Sequence, residues 1–161
     1  AVCHYNQIVD EKKDLGEIVK SKEYFNLILE EFPNTDFAED AMFKLELIQE
    51  ILASKELYLA NYYLDREKWI PAINRYKKIV DQYDTTIFIE EALYRLVEIN
   101  YKLGLVDEAK KYSVLLGYNY QSSEWYEESY KILNKNYSKK KIEKNTQTEK
   151  TLLKKFQKLF E

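Results

Sequence analysis

The residues best suited to enzymatic chemistry are Cys3 and His4, the chain's only thiol and only imidazole. A cysteine nucleophile needs a base within hydrogen-bond reach of its sulfur. Sequence neighbours on a helix point to different faces, so this pair does not form such a site by itself. We therefore expect His4 to be an ordinary helix residue and Cys3 to be a buried structural thiol.

Other catalytic signals are missing from the sequence. The three glycines are isolated at positions 16, 104 and 117, so there is no glycine-rich phosphate loop. One Cys and one His cannot supply a zinc site. Adjacent acidic pairs, such as Glu30 and Glu31, indicate solvated helix faces. We therefore expect a binding protein that is not an enzyme and that needs no metal or cofactor.

Aromatic side chains and arginine carry much of the energy of protein interfaces. The partner-binding candidates of these types are Tyr62, Arg66, Trp69, Arg75 and Tyr76. Arg75 directly precedes Tyr76, and its guanidinium could reach a carboxylate of a partner. The alternative is that Trp69 and Tyr76 belong to the core and that Arg75 pairs with a local acid.

Composition favours long helices with short connections. The 161 residues include only three Gly and two Pro but 15 Tyr, and few turns can therefore require a positive φ. No stretch approaches the ~20 apolar residues of a membrane span. Residues 131–161 hold ten Lys and three Glu, a balance of +7, against −10 for residues 1–130. An acidic body thus carries a basic tail.

Apolar periodicity and local stop signals predict the helices. Pro33 ends one helix, Asn34, Thr35 or Asp36 caps the next, and Thr85 and Thr86 cap a later one. Gly104 is expected just after a helix end. The predicted helices span residues 2–11, 17–32, 36–66, 69–83, 87–103, 107–116 and 124–135. The helix over 36–66 is too long for one partner and should span two packing units.

The C-terminal residues form two further segments. Residues 137–147 are predicted to be a Lys-rich linker, and residues 148–161 an amphipathic helix. Its apolar positions, at relative spacings 0, 1, 4, 7 and 8, are Leu152, Leu153, Phe156, Leu159 and Phe160. This helix could cap the repeat array, bind a partner groove or lie on an anionic membrane. The acidic body argues against nucleic acid, and we favour one of the first two roles.

An internal repeat is visible in the predicted helix pairs. Residues of the types found at the small-residue, aromatic and leucine positions of tetratricopeptide hairpins recur at the expected spacing: Ala60, Tyr63, Ala72, Tyr76, Leu93, Leu96 and Ala109. Ala72 and Ala109 are 37 residues apart. Because each hairpin leaves an apolar face open, neighbouring hairpins must stack. We predict an all-α tetratricopeptide-repeat solenoid over residues 1–136, truncated at its N-terminus; a generic helical bundle is the alternative.

The residues also resemble one particular family. The segments Leu52–Glu56, Tyr62–Leu64 and Ala72–Tyr76, together with Trp69, are similar to a repeat of the BamD family (ComL/YfiO-type lipoproteins of the outer-membrane β-barrel assembly machinery). The likeness continues through further segments, namely 91–98, 103–109, 115–120 and 123–126. It is fainter before residue 52 and does not include the tail. Asp84 and Gln121 depart from it, because the family usually has Pro there.

This resemblance implies a non-catalytic scaffold that helps to insert proteins into the outer membrane. The implied partners are the periplasmic domains of the BamA barrel protein and an accessory Bam lipoprotein. The implied location is the periplasmic face of the outer membrane, through a lipid anchor outside this chain, and Cys3 is not expected to be the lipid site. The alternative function is a different tetratricopeptide adaptor that binds a peptide or partner protein in its concave groove.

Overall fold

The computed structural model describes residues 1–5 and 16–134, and every regular element in those ranges is an α-helix. The helices follow the predicted order, with bounds close to those expected. They are α1 (Val2–Tyr5), α2 (Gly16–Glu31), α3 (Asp36–Leu64), α4 (Trp69–Gln82), α5 (Ile89–Lys102), α6 (Val106–Asn119) and α7 (Glu124–Leu133). The predicted extension of the first helix to residue 11, the linker 137–147 and the tail helix 148–161 lie outside the described residues.

The long helix α3 serves two packing units, as predicted. Its first half contributes Ala41 and Ile48 to a core with Ile18 and Phe25 of α2. Its second half supplies small residues to the main core, which α4 and α5 complete. Thr35 is the N-cap of α3, and its side-chain oxygen accepts a hydrogen bond from the Ala38 amide at 3.3 Å. A side-chain acceptor at this position satisfies an otherwise unpaired amide of the first turn.

Two antiparallel hairpins follow one another along the chain, which confirms the tetratricopeptide-like fold. The second half of α3 pairs with α4, and α5 pairs with α6. Ala72 and Ala109 are completely buried at equivalent positions of α4 and α6. A methyl side chain at these positions lets the two helices of a hairpin approach closely. The turn over residues 65–68 joins the end of α3 to the start of α4, and the candidate binding residues lie in this turn and in the two helices beside it.

The predicted start of α5 and the predicted end of α6 are wrong. Helix α5 begins at Ile89, and its first turn has no side-chain cap. Thr86 instead donates its hydroxyl to the Tyr83 carbonyl at 2.7 Å, so it closes the turn after α4. Helix α6 continues beyond Leu116 to Asn119. It passes through Gly117, where a Cβ atom would lie 2.5 Å from the Tyr126 ring, so the glycine makes room for α7.

The expectation that Cys3 is buried is also wrong. Cys3 is exposed, and α1 buries none of its four residues. Helix α1 packs mainly against α2 and reaches α3 through Tyr5, whose ring centroid lies 5.1 Å from Lys44 Nζ, while Val2 and Cys3 remain exposed to solvent. His4 lies on α1 as an ordinary helix residue: its Nδ1 is 2.5 Å from Glu17 Oε2, and its ring stacks on Tyr24.

None of the described helices combines the length and the apolar character that are needed to cross a membrane.

Candidate protein-binding surface

Tyr62 and Arg66 form an exposed pair at the C-terminal end of α3. The Arg66 guanidinium lies 3.6 Å from the centroid of the Tyr62 ring, and Tyr62 is 43% exposed. Arg66 Nη1 also donates a hydrogen bond to the Tyr62 carbonyl at 3.1 Å. That carbonyl belongs to the last turn of the helix, where a cation is favoured by the helix dipole. The pair therefore offers a flat, pre-ordered cationic and aromatic surface.

The turn that follows is held in an unusual backbone conformation. Glu67 has a φ of 55°, the only positive value at a non-glycine residue within the described ranges. Its amide bonds to the Leu64 carbonyl at 2.9 Å, and the Lys68 amide bonds to the Tyr63 carbonyl at 2.9 Å. These two bonds define a Schellman motif, which usually has glycine at the left-handed position. A side chain in this conformation costs about 1–2 kcal/mol, and the turn carries Arg66.

Arg75 and Lys78 of α4 share one carboxylate of α3. Arg75 Nη1 donates to Glu56 Oε2 at 2.9 Å, and Lys78 Nζ donates to Glu56 Oε1 at 2.6 Å. Glu56 is buried, whereas each of the two cationic side chains is 38% exposed. Two cations facing one anion leave a net positive charge at the surface. This arrangement favours an incoming carboxylate of a partner.

A shallow groove runs beside this charge cluster. Its volume is about 390 Å³. It is lined by Tyr63, Ile70, Pro71, Asn74, Arg75 and Lys78. Ile70 is well exposed at its rim, so the groove offers apolar contact next to cationic groups. Such a combination suits a protein segment with an acidic and an apolar side chain.

Trp69 lies at the start of α4 and is half-buried. Its ring packs against the main core. The Lys102 Nζ atom of α5 lies 5.9 Å from the ring centroid, within the range of a cation–π contact. Trp69 therefore links α4 to the core and exposes only part of its ring at the edge of the surface.

Tyr76 is a core residue, which corrects its inclusion among the partner-binding candidates. The side chain is completely buried, and its hydroxyl donates to Asn61 Oδ1 at 2.5 Å. Burial raises the pKa of Tyr76 above the ordinary tyrosine value. A buried ring has no surface for a partner, so Tyr76 acts by holding α4 against α3.

The candidates that remain at the surface are Tyr62, Arg66, Arg75 and part of Trp69. Their sequence pattern did not reveal Glu56 and Lys78, which complete the charge cluster. A signal was present, because Glu56 is the one acid on the buried stripe of α3 between Ala53 and Ala60. A charge at such a position requires a partner from another helix.

Within residues 1–5 and 16–134, no group of three or more His, Cys, Asp or Glu side chains is arranged to hold a metal ion. The closest approach of a histidine to an acid is the His4–Glu17 pair. Hydrogen bonds from Lys20 and His4 lower the pKa of Glu17.

Comparisons with family models and with curated proteins indicate one family. The model of the YfiO family, described as an outer membrane lipoprotein, matches residues 1–116. The outer membrane protein assembly factor BamD of Rickettsia prowazekii is 43% identical over 137 residues, which are 85% of this chain and 54% of the relative. The factor of the same name from Caulobacter vibrioides is 35% identical over 136 residues, 84% of this chain and 45% of that relative.

A third relative, the outer membrane protein assembly factor BamD of Vibrio cholerae, is 34% identical over 95 residues. These residues are 59% of this chain and 39% of the relative. The chain therefore spans about half the length, or less, of the curated relatives it matches. The match to the family model ends within α6, so α7 and the tail lie beyond it.

Proposed function

Because this chain belongs to the YfiO family of outer membrane lipoproteins, we propose that it is a non-catalytic protein-binding scaffold of the outer-membrane β-barrel assembly machinery. The observation that carries the proposal is the family match, which includes both hairpin turns and the candidate surface at the end of α3 and the start of α4. The three relatives above are named as assembly factors. The proposed location is the periplasmic face of the outer membrane.

The proposed binding surface consists of Tyr62, Arg66, Arg75 and the exposed edge of Trp69, with Lys78 and the adjacent groove. Its chemistry supports an acidic partner segment. Arg66 is pre-ordered by the Tyr62 ring, and Arg75 is held by Glu56 while its guanidinium stays accessible. Pre-ordered side chains lose less conformational entropy when a partner binds. The proposed partners are a periplasmic domain of BamA and an accessory Bam lipoprotein.

The test is a binding titration of the full 161-residue chain against an immobilised BamA periplasmic region. The informative variant is Arg75→Gln, because Arg75→Glu would bring a second carboxylate next to the buried Glu56. We expect Arg75→Gln to raise the Kd about tenfold or more, because hydrogen bonds to charged groups contribute about 1.5–3 kcal/mol. Circular dichroism should show wild-type helicity, since Lys78 still pairs with Glu56.

The matched control is Lys77→Gln, which removes the same charge from an exposed position two residues further along α4. We expect the control to bind like wild type, apart from a small change in salt dependence. Absence of binding by the wild-type chain would contradict the proposed function. An equal loss of affinity in both variants would indicate a general effect of charge, and Arg75 would then not belong to the binding surface.

A further inference from the structure

Helix α7 repeats the first helix of a hairpin. Equivalent positions of successive hairpins are 37 residues apart, as Ala72 and Ala109 are. By this spacing, four residues of α7 are equivalent to four residues of α5: Tyr126, Ser129, Tyr130 and Leu133 correspond to Ile89, Ala92, Leu93 and Leu96. The four α5 residues are buried, and α6 packs against this helix. The repeat therefore calls for a helix that covers α7 in the way that α6 covers α5. No described helix takes that position.

The uncovered position is an apolar groove between α6 and α7. Its volume is about 460 Å³. The lining residues are Lys110, Ser113, Val114, Gly117, Tyr118, Tyr126, Tyr130, Leu133 and Asn134. Val114 is 70% exposed and Tyr118 is 83% exposed. Together with Tyr126 and Tyr130, these two exposed side chains form a contiguous apolar surface. Contact of such a surface with water is unfavourable, and surfaces of this kind usually mark a binding site.

We propose that residues 148–161 form a helix that packs into this groove as the second helix of a third hairpin. The pattern of the tail supports this occupant. Its apolar residues, Leu152, Leu153, Phe156, Leu159 and Phe160, fall at spacings 0, 1, 4, 7 and 8. The second helix of the first hairpin faces the core with the same spacing, through Ala72, Ile73, Tyr76, Ile79 and Val80. The tail segment also has the 14-residue length of α4 and α6.

The segment that connects α7 to the tail is long enough for the tail to reach the groove. The described chain ends at Asn134, which itself lines the groove. Residues 135–147 can span up to about 40 Å at ~3.3 Å per residue. A 14-residue helix is only about 21 Å long, so the tail can reach the groove in either direction. A loop of this length adds little closure entropy relative to the short turns of the other hairpins.

Charge favours the same placement. Helix α7 carries three Glu and one Lys, a net charge of −2. The tail segment carries four Lys and two Glu, a net charge of +2. The glutamates of α7 line a separate surface beside Trp125 and do not line the groove. The opposite net charges of the two helices therefore attract each other at long range, without direct pairing in the groove. Docking also covers the apolar face that α7 leaves open, as the stacking of neighbouring helices does elsewhere in repeat proteins.

The test is a double-mutant cycle in the full 161-residue chain, read as thermal midpoints. We expect Val114→Asp to lower Tm by about 4 °C and Phe156→Asp by a similar amount, because each would bring a carboxylate into the same apolar contact. The double variant should be little worse than either single variant. The matched control is Ile87→Asp, since Ile87 is 78% exposed and does not line the groove; its Tm should change by less than about 1 °C.

Each alternative occupant gives a different result that would overturn the proposal. If Val114→Asp behaves like Ile87→Asp, the groove is open in the folded chain. If the effects of Val114→Asp and Phe156→Asp add fully, the two residues lie in separate contacts. A Tm that falls with dilution would assign the groove to a second copy. Tail-dependent binding to phosphatidylglycerol vesicles, with no coupling to Val114, would assign the tail to a membrane.

A disulfide measurement tests the same contact independently of stability. The exposed Cys3 is first changed by Cys3→Ser, and Tyr118→Cys is combined with Phe156→Cys. We expect a monomeric, intramolecular disulfide under mild oxidation, visible as a faster-migrating band that reductant removes. The control pairs Ile87→Cys with Phe156→Cys and should give no such band. Equal disulfide formation in both pairs, or disulfide-linked dimers only, would overturn the docking.

Discussion

The two successive hairpins are built on one plan but differ at equivalent positions 37 residues apart. The turn of the first hairpin carries Glu67 at φ 55°, whereas the second carries Gly104 at φ 78°. Both turns close with the same pair of Schellman hydrogen bonds. The buried ring of Tyr76 in the first hairpin is replaced by Ser113 in the second, and the exposed Arg66 by Leu103.

The comparison shows that the first hairpin contains residues that their local surroundings disfavour, whereas the equivalent positions of the second hairpin do not. The second hairpin has the glycine that its turn favours. The first hairpin keeps a strained glutamate in that turn and a buried carboxylate, Glu56, between α3 and α4. Departures from local rules are expected at functional sites, where the surrounding structure must compensate for them. These departures surround the proposed binding surface and are absent from the equivalent positions of the second hairpin.

The largest expected effect is at the buried tyrosine of the first hairpin. Tyr76→Ala should lower the free energy of unfolding by about 3–5 kcal/mol, because it removes a fully buried ring. The equivalent change in the second hairpin, Ser113→Ala, removes only the buried 3.2 Å hydrogen bond to Ser129. It should lower the free energy by about 1 kcal/mol. Urea denaturation of both variants measures the difference.

Tyr76→Phe separates the hydroxyl from the ring. It leaves the half-buried Asn61 oxygen without this donor, so we expect a loss of about 0.5–1.5 kcal/mol. A loss for Tyr76→Ala no greater than that for Ser113→Ala would mean that the first hairpin does not depend on this ring.

Alkaline pH should weaken the first hairpin through the same residue. Burial raises the pKa of Tyr76 above 10.0 in the folded chain, so the unfolded chain loses this proton first. The free energy of unfolding should therefore stay constant up to about pH 10 and then fall, by at most about 1.4 kcal/mol per pH unit for one group.

Denaturation of wild type and Tyr76→Phe between pH 8 and 12 measures this dependence. The variant should fall less steeply, while Tyr83, Tyr94 and Tyr120, whose pKa values burial also raises, should preserve part of the slope. Identical slopes in the two proteins would show that Tyr76 does not titrate with unfolding.

The smallest expected effects are at the two turns, and they have opposite signs. Glu67→Gly should stabilise the first hairpin by about 1 kcal/mol, because glycine adopts the left-handed backbone conformation without the steric cost of a side chain. Gly104→Ala should destabilise the second by about the same amount, since its added Cβ meets no neighbour within 4 Å and only the backbone conformation opposes it. Thermal unfolding checks both. A destabilising Glu67→Gly would mean that the glutamate side chain makes a stabilising contact of its own.

Helix ends with a local cause could be predicted from the sequence. Thr35 caps α3, Pro71 lies in the first turn of α4, and Gly104 follows α5 with a positive φ. The repeat also predicted which alanines are buried, because the small residues recur at one spacing. Thr86 misled the prediction since a threonine can close a preceding turn as readily as it caps a following helix.

The candidate surface could be predicted only in part. Residue type identified Arg66 and Arg75, but not whether Tyr76 faces solvent or core. That depends on Asn61, 15 residues away on another helix. The same holds for the carboxylate that pairs with Arg75 and Lys78, which lies 19 and 22 residues from them. Cys3 was misassigned because its exposure depends on which residues of α1 face α2 and α3, which a local pattern does not encode.

Hydrogen exchange of the full 161-residue chain, with and without a saturating BamA periplasmic region, tests the central claim most directly. We predict slower amide exchange in peptides covering residues 62–78, with little change in the equivalent peptides of the second hairpin over 99–115. Saturated binding that leaves exchange in 62–78 unchanged, or that slows only the second hairpin, would contradict it.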